Sequence, residues 1–157
     1  MDDIWEVAKK IEIEGKNFYL SLGKEAQPDE LAGIFHYLAG QEDDHFDIFL
    51  SMQDGRKPSK TEATKASRIA KEAFTKIAVD FNDSKPVTVA EDALNKAVSM
   101  EEETIEYYLS LLEKETSDEN RAAINVIIEE EEDHKAVLES IIEFSNGPKE
   151  FLDKTEF

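Results

Sequence analysis

The 157-residue chain has no cysteine, only 6 Gly and 4 Pro, and 18 Lys and Arg against 37 Asp and Glu. Without a thiol it holds no disulfide framework, no Cys-ligated zinc, no thiol nucleophile and no thiolate-bound iron centre. Any metal must therefore be held by oxygen and imidazole. Scarce Gly and Pro argue for long helices over a turn-rich β fold. The formal net charge of −19 repels phosphate backbones and anionic lipid heads, so no nucleic acid and no membrane is expected as partner. No apolar run approaches the roughly 18 residues of a membrane span, and Met1 to Glu6 show neither a basic nor an apolar leader pattern. The expected compartment is the cytoplasm.

What is present is helical periodicity. Apolar residues recur through Ile4, Ala8, Ile11, Phe18 and Leu22, then through Leu31, Phe35, Leu38, Ile48 and Phe49. Asp3 with Glu6 has capping-box spacing, Pro28 suits a helix start, and Asp54-Gly55 ends the second helix. Arg56 to Lys60 is basic and polar, and Ile69, Ala73, Phe74, Ile77 and Phe81 predict a shorter helix. Thr88-Val89-Ala90-Glu91 and Thr116-Ser117-Asp118-Glu119 read as two further capping boxes, opening helices through Leu94 to Leu112 and through Ile124 to Ile141. The last stops at Asn146-Gly147-Pro148. The expected fold is a single all-α domain: a four-helix bundle of two helical hairpins, about 3–54 and 88–146, with one long crossover at 55–87 and a tail at 147–157.

A shift of 89 positions superposes Glu12 on Glu101, Tyr19-Leu20-Ser21 on Tyr108-Leu109-Ser110, Glu42 on Glu131, and Asp44-His45 on Asp133-His134, without a gap. The halves read as copies of one hairpin, related by a pseudo-two-fold axis. Glu42-x-x-His45 and Glu131-x-x-His134 each direct an oxygen and a nitrogen from one helix face. Glu12 and Glu101 precede the motif Glu by 30 residues, and across an antiparallel hairpin the two meet at one level. Four carboxylates and two imidazoles then converge, the ligand set of a dinuclear carboxylate site. Two divalent ions would neutralise four buried carboxylates; iron or manganese suits the donors, and zinc could occupy the site without redox function.

Tyr19 and Tyr108 follow a ligand Glu by two turns, which fits either a hydrogen bond to a ligand carboxylate or ordinary core packing. Gln41 and Glu130 precede the motif Glu residues; they either support the His rings or lie on a solvated flank. Asp44 and Asp133 stand about 200° around the helix from those Glu residues and are expected in solvent. Most of Glu102, Glu103, Glu129 and Glu132 read as surface charge. His36, with Asn125 at its repeat position, is not expected as a ligand. Trp5, Phe46 and Phe49 are expected in the core, with Met52 and Met100 as packing.

These motifs resemble the ferritin-like di-iron carboxylate superfamily. The text from Ile11 to Tyr19 and its echo from Met100 to Tyr108 most resemble the rubrerythrin-like group, over about residues 3 to 145. The resemblance implies a ferritin-like bundle with two iron ions, Glu42 and Glu131 bridging, Glu12 and Glu101 terminal, and one imidazole on each metal. It implies reduction of hydrogen peroxide or dioxygen. Three departures accompany it. The four-Cys rubredoxin domain of full rubrerythrins is missing, so electrons are expected from a separate, rubredoxin-like donor. Thr104 and Gly15 stand where that group's extra carboxylate and its repeat position would be, leaving its carboxylate-for-histidine exchange without the carboxylate. Asp43 replaces the haem-binding Met of the similar bacterioferritins, so no haem is expected. The alternatives are a ferroxidase that stores iron in a 24-subunit shell, and an acidic interaction module with a vestigial or zinc-loaded site. A homodimer is the default expectation.

Overall fold

The computed structural model describes residues 3–58, 65–79 and 89–146. Five helices follow one another: α1 (Ile4–Glu25), α2 (Asp29–Gln53), α3 (Ala66–Val79), α4 (Glu91–Lys114) and α5 (Asp118–Asn146). α1 packs along α2 and α4 along α5, while α3 lies in the crossover against α2 and α5. The links 26–28 and 115–117 are equally short, which forces each pair antiparallel and keeps the 89-residue repeat in register. The described residues form an all-α bundle of two antiparallel hairpins joined by a crossover.

The helix ends partly follow the sequence signals. Asp3 caps α1, its Oδ1 accepting from the Trp5 N–H at 2.9 Å. The reciprocal half of that capping box is replaced, because the Glu6 carboxylate accepts from Gln53 at 2.6 Å and pairs with Lys9 at 2.9 Å. α4 opens later than expected, with Ala90 at its cap and no side-chain hydrogen bond; Thr88 lies outside the described residues, as does Phe81. At α5 the cap shifts by one residue: Ser117, not Thr116, accepts from the Asn120 N–H through its hydroxyl at 3.3 Å. Gly55 leaves α2 with φ +71°, the left-handed turn that a side chain would resist.

Apolar side chains form two plugs with a polar layer between them. One gathers Leu22, Leu31, Phe35, Leu38, Leu94, Val137 and Phe144, extended by Ala70, Phe74 and Ile77 of α3. The other gathers Ala8, Ile48, Phe49, Met52, Leu111, Ile124 and Ile127. Along α1, α2, α4 and α5 the sequence passes from one plug to the other through Glu12, Glu42 with His45, Glu101, and Glu131 with His134. Phe74 stacks on Phe144 with ring centroids 4.4 Å apart, pinning α3 to the first plug. Trp5 and Phe46, expected in the core, are only half-buried; Trp5 stacks on Phe49 and Lys9 sits over the Phe46 ring.

Candidate metal centre

The i, i+3 spacing turns Glu42 with His45, and Glu131 with His134, into the bundle, and α1 and α4 bring Glu12 and Glu101 to the same level. All six side chains are buried, none more than 5% exposed. They form two overlapping donor groups, Glu12, Glu42, His45 and Glu131, and Glu42, Glu101, Glu131 and His134, with the donor atoms of each group within 4.8 Å of one another. His45 Nδ1 lies 3.5 Å from Glu12 and 3.1 Å from Glu131; His134 Nδ1 lies 3.1 Å from Glu42 and 3.7 Å from Glu101. Ligand atoms on one ion with bonds of about 2.1 Å are separated by about 3 to 3.5 Å, so these spacings suit coordination.

Hydrogen bonding points to the same use. Among the described residues, seven buried side-chain atoms have no hydrogen-bond partner: Glu12 Oε2, Glu42 Oε1, Glu101 Oε2, both Glu131 oxygens, and Nδ1 of His45 and His134. Buried polar atoms are rarely left so, and these seven lie on the residues of the two donor groups. The remaining atoms of the same side chains are held firmly. Tyr19 donates to Glu101 Oε1, and Tyr108 donates to Glu12 Oε1 at 2.6 Å. His134 Nε2 meets Gln41 Oε1 at 2.6 Å, and His45 Nε2 meets Glu130 Oε2 at 2.5 Å. An acceptor on Nε2 puts the ring proton there and leaves Nδ1 with a lone pair for a metal. The residues therefore fit a metal centre.

Crowded carboxylates without cations hold protons. Burial, then Glu12, Glu131 and Glu101, push Glu42 well above the usual carboxylate range. Burial and Glu131 raise Glu101 to about 7, against the opposing pull of His134. Burial acts to lower His45, but Glu12, Glu130 and Glu131 outweigh it and the ring titrates well above its ordinary range. His134 is raised in the same manner by Glu101 and Glu131. Both phenols are pushed well up, by burial first and then by the carboxylate each one serves, so they remain donors.

A family model described as Rubrerythrin matches residues 3–142. The chain belongs to the rubrerythrin family. No curated protein and no solved structure matches it. Membership in the rubrerythrin family agrees with a buried carboxylate and imidazole cluster inside a helical bundle.

The structure brings these six Glu and His residues together; both Tyr pack in the apolar plugs and also donate to Glu101 and Glu12, and Gln41 and Glu130 lie against the His rings. His36 is exposed and stands apart from these groups. Asp133 departs from expectation. It is half-buried and accepts from the Ser67 N–H at 3.1 Å, capping α3, whereas Asp44 stays exposed.

One feature at the centre was not foreseen. Between α1 and α4 a partly open cavity of about 150 Å³, lined by Ile11, Gly15, Phe18, Met100 and Thr104, ends on Glu42. A Cβ at position 15 would stand 2.6 Å from Glu42 Oε2. Gly15 thus leaves room for that carboxylate beside the cavity. The only sequence signal for it was a small residue one turn after Glu12.

No helix among the described residues is long and apolar enough to cross a membrane.

Proposed function

We propose that this rubrerythrin-family protein reduces hydrogen peroxide at a pair of iron ions, with electrons supplied by a separate donor protein. The observation that carries the reading is the sharing of Glu42 and Glu131 between two donor groups that each contain their own Glu and His. Glu42 and Glu131 would bridge, Glu12 with His45 would complete one position, and Glu101 with His134 the other. Two ferrous ions held there would supply the two electrons that convert H₂O₂ and two protons into two waters.

The protein's part is placement. Tyr19 and Tyr108 hold one oxygen of Glu101 and Glu12, leaving the other toward the centre. Gln41 and Glu130 fix the ring orientation of His134 and His45. Apolar plugs pack above and below the polar layer, and the α1–α4 cavity beside Gly15 and Thr104 has room for a molecule of a few atoms. Glu42 borders that opening, so an entering peroxide would meet this side of the centre first. Dioxygen fits the same opening; iron oxidation for storage and a metal-indifferent module are the competing outcomes.

The test is an anaerobic ferrous titration followed by peroxide in one equivalent. Two iron per chain, oxidised together by one peroxide, is the expected result, with slower oxidation by dioxygen. His45→Ala and His134→Ala should each bind iron at least tenfold more weakly and lose rapid oxidation while staying helical. Hundreds of iron per chain after aerobic loading would instead indicate storage, and no binding would leave only the structural module. Unaltered peroxide turnover in both variants would sink the assignment.

A further inference from the structure

Charge along the chain changes sign at the crossover. Residues 56–85 carry eight of the 18 Lys and Arg but four of the 37 Asp and Glu, a basic segment in a chain of net charge −19. Within it, α3 buries Ala66, Ala70, Ala73, Phe74 and Ile77 against α2 and α5. Its opposite face exposes Lys65, Arg68, Lys71 and Lys76 beside a shallow surface depression with Ser67 and Thr75. Among these exposed residues Glu72 is the lone acid.

The start of this helix lies beside α5 at the level of the metal centre. The Ser67 N–H at the start of α3 donates to Asp133, the residue next to His134. Glu130, one turn earlier on α5, has its carboxylate on His45 Nε2 and is itself 17% exposed, so it links the ring to the surface. The oxidant opening lies on the α1–α4 side instead. The α1–α4 side thus opens to a small molecule, while the start of α3 is joined to the residue beside His134 by one hydrogen bond, and Glu130 carries the His45 ring towards the surface on the same helix α5.

The geometry points to the basic face of α3 as the docking surface for an acidic one-electron carrier protein that re-reduces the centre. This rests on the peroxide reading, which consumes two electrons per peroxide that the 157 residues, lacking cysteine, cannot draw from a thiolate-bound centre of their own. Each docking event delivers one electron to the oxidised pair, two events restore it, and the carrier is oxidised by one electron each time. The carrier's negative surface meets Lys65, Arg68, Lys71 and Lys76, and long-range attraction steers it away from the acidic remainder of the chain.

Reduced rubredoxin, a small acidic iron protein, is the probe, mixed anaerobically with the iron-loaded, oxidised full chain. Arg68→Glu with Lys71→Glu should lower the second-order rate of iron reduction at least tenfold at low ionic strength. The wild-type rate should fall steeply with added salt. Lys10→Glu with Lys24→Glu, the same charge change on α1, should have a much smaller effect. Iron bound per chain and reduction by a small uncharged hydroquinone should be unchanged in both variants. Calorimetric affinity of the probe for the metal-free chain should fall with the α3 substitutions, so docking is readable even where peroxide reduction fails. Equal effects of the α3 and α1 pairs, or a salt-independent rate, would overturn the proposal. So would a native mass that drops in the α3 variant at unchanged rate, which would make the face a contact between copies of this chain.

Discussion

The hairpins α1–α2 and α4–α5 supply matching donors, Glu12, Glu42 and His45 against Glu101, Glu131 and His134, and each hairpin holds the donors of the other. Tyr19 serves Glu101 and Tyr108 serves Glu12; Gln41 serves His134 and Glu130 serves His45. Neither half has a complete site alone. The differences are few and lie around the shared core. An amide faces one imidazole and a carboxylate the other; Gly15 stands opposite Thr104 at the opening; Asp133 caps α3 while Asp44 stays in solvent. The symmetric residues gather the buried carboxylates and imidazoles, and the asymmetric ones give the cluster a cavity on one side and a capped helix on the other.

The largest effect should come from stripping the cluster of metal, which removes what the halves share. Glu101 is raised from the ordinary carboxylate value of 4.5 to about 7, and Glu42 lies well above that ordinary value too. Between those values the metal-free folded chain holds protons that the unfolded chain has released. The stability tied to those protons is complete below about pH 4.5 and is lost as pH rises through about 7, for Glu101 alone of the order of 3 kcal/mol. The metal-free protein should therefore melt lower at pH 8 than at pH 5.5. Ferrous iron at a thousandfold excess over its Kd should add about 4 kcal/mol per site, or roughly 8 to 16 °C, with the larger gain at pH 8. Melting curves with and without chelator at the two pH values check this. A metal-free protein more stable at pH 8 would contradict the packing of protonated carboxylates.

Next come the two crossed tyrosines, which ask whether the halves are energetically equal. Tyr19→Phe and Tyr108→Phe each remove one donor to a buried carboxylate and should each cost about 1.5 to 3 kcal/mol in the metal-free protein. The costs should agree within about 0.5 kcal/mol, because the two hydrogen bonds are equivalent across the repeat. Chemical denaturation of the two variants provides the comparison, and a difference beyond that range would show that the plugs around the phenols matter more than the bonds.

Glu130→Gln makes the two imidazole supports alike and is expected to weaken iron binding by about tenfold, the low end for such supports. A carboxylate draws the Nε2 proton more strongly than an amide does and makes His45 the better electron donor of the two rings. Wild-type protein loaded with two ferrous ions should show two distinct Mössbauer quadrupole doublets, and Glu130→Gln should bring them together. Gln41→Glu tests the converse. Two doublets that keep their separation in Glu130→Gln would assign the inequivalence elsewhere.

The convergence of these Glu and His residues was legible in the sequence because three-residue spacing puts each pair on one helix face and because the 89-residue repeat wrote the pattern twice. Helix ends were less so: Glu6 fits a capping box by type, yet Gln53 and Lys9, remote or one turn on, compete for its carboxylate. The crossover was legible as a helix but not in placement, since its packing depends on meetings such as Phe74 on Phe144 that no periodicity specifies. The opening at Gly15 was hidden for a similar reason. What matters there is the distance to Glu42, a residue of another helix.

The smallest expected effect separates Asp133 from Asp44, which the repeat makes equivalent and the fold does not. Asp133 reaches across from α5 to the second N–H of α3, a position that a helix would normally satisfy with its own preceding side chain. Removing such a cap costs about 1 kcal/mol, so Asp133→Ala should lower the melting temperature by roughly 2 to 4 °C and speed hydrogen exchange at the Ser67 amide. Asp44→Ala should change neither, because α1–α2 has no crossover helix to cap. Equal shifts in the two variants would mean that the acidic charge itself, repeated in both halves, matters more than its hydrogen bond. A shift confined to Asp133 would show that the crossover converted one copy of a duplicated surface residue into the joint that holds α3 beside His134.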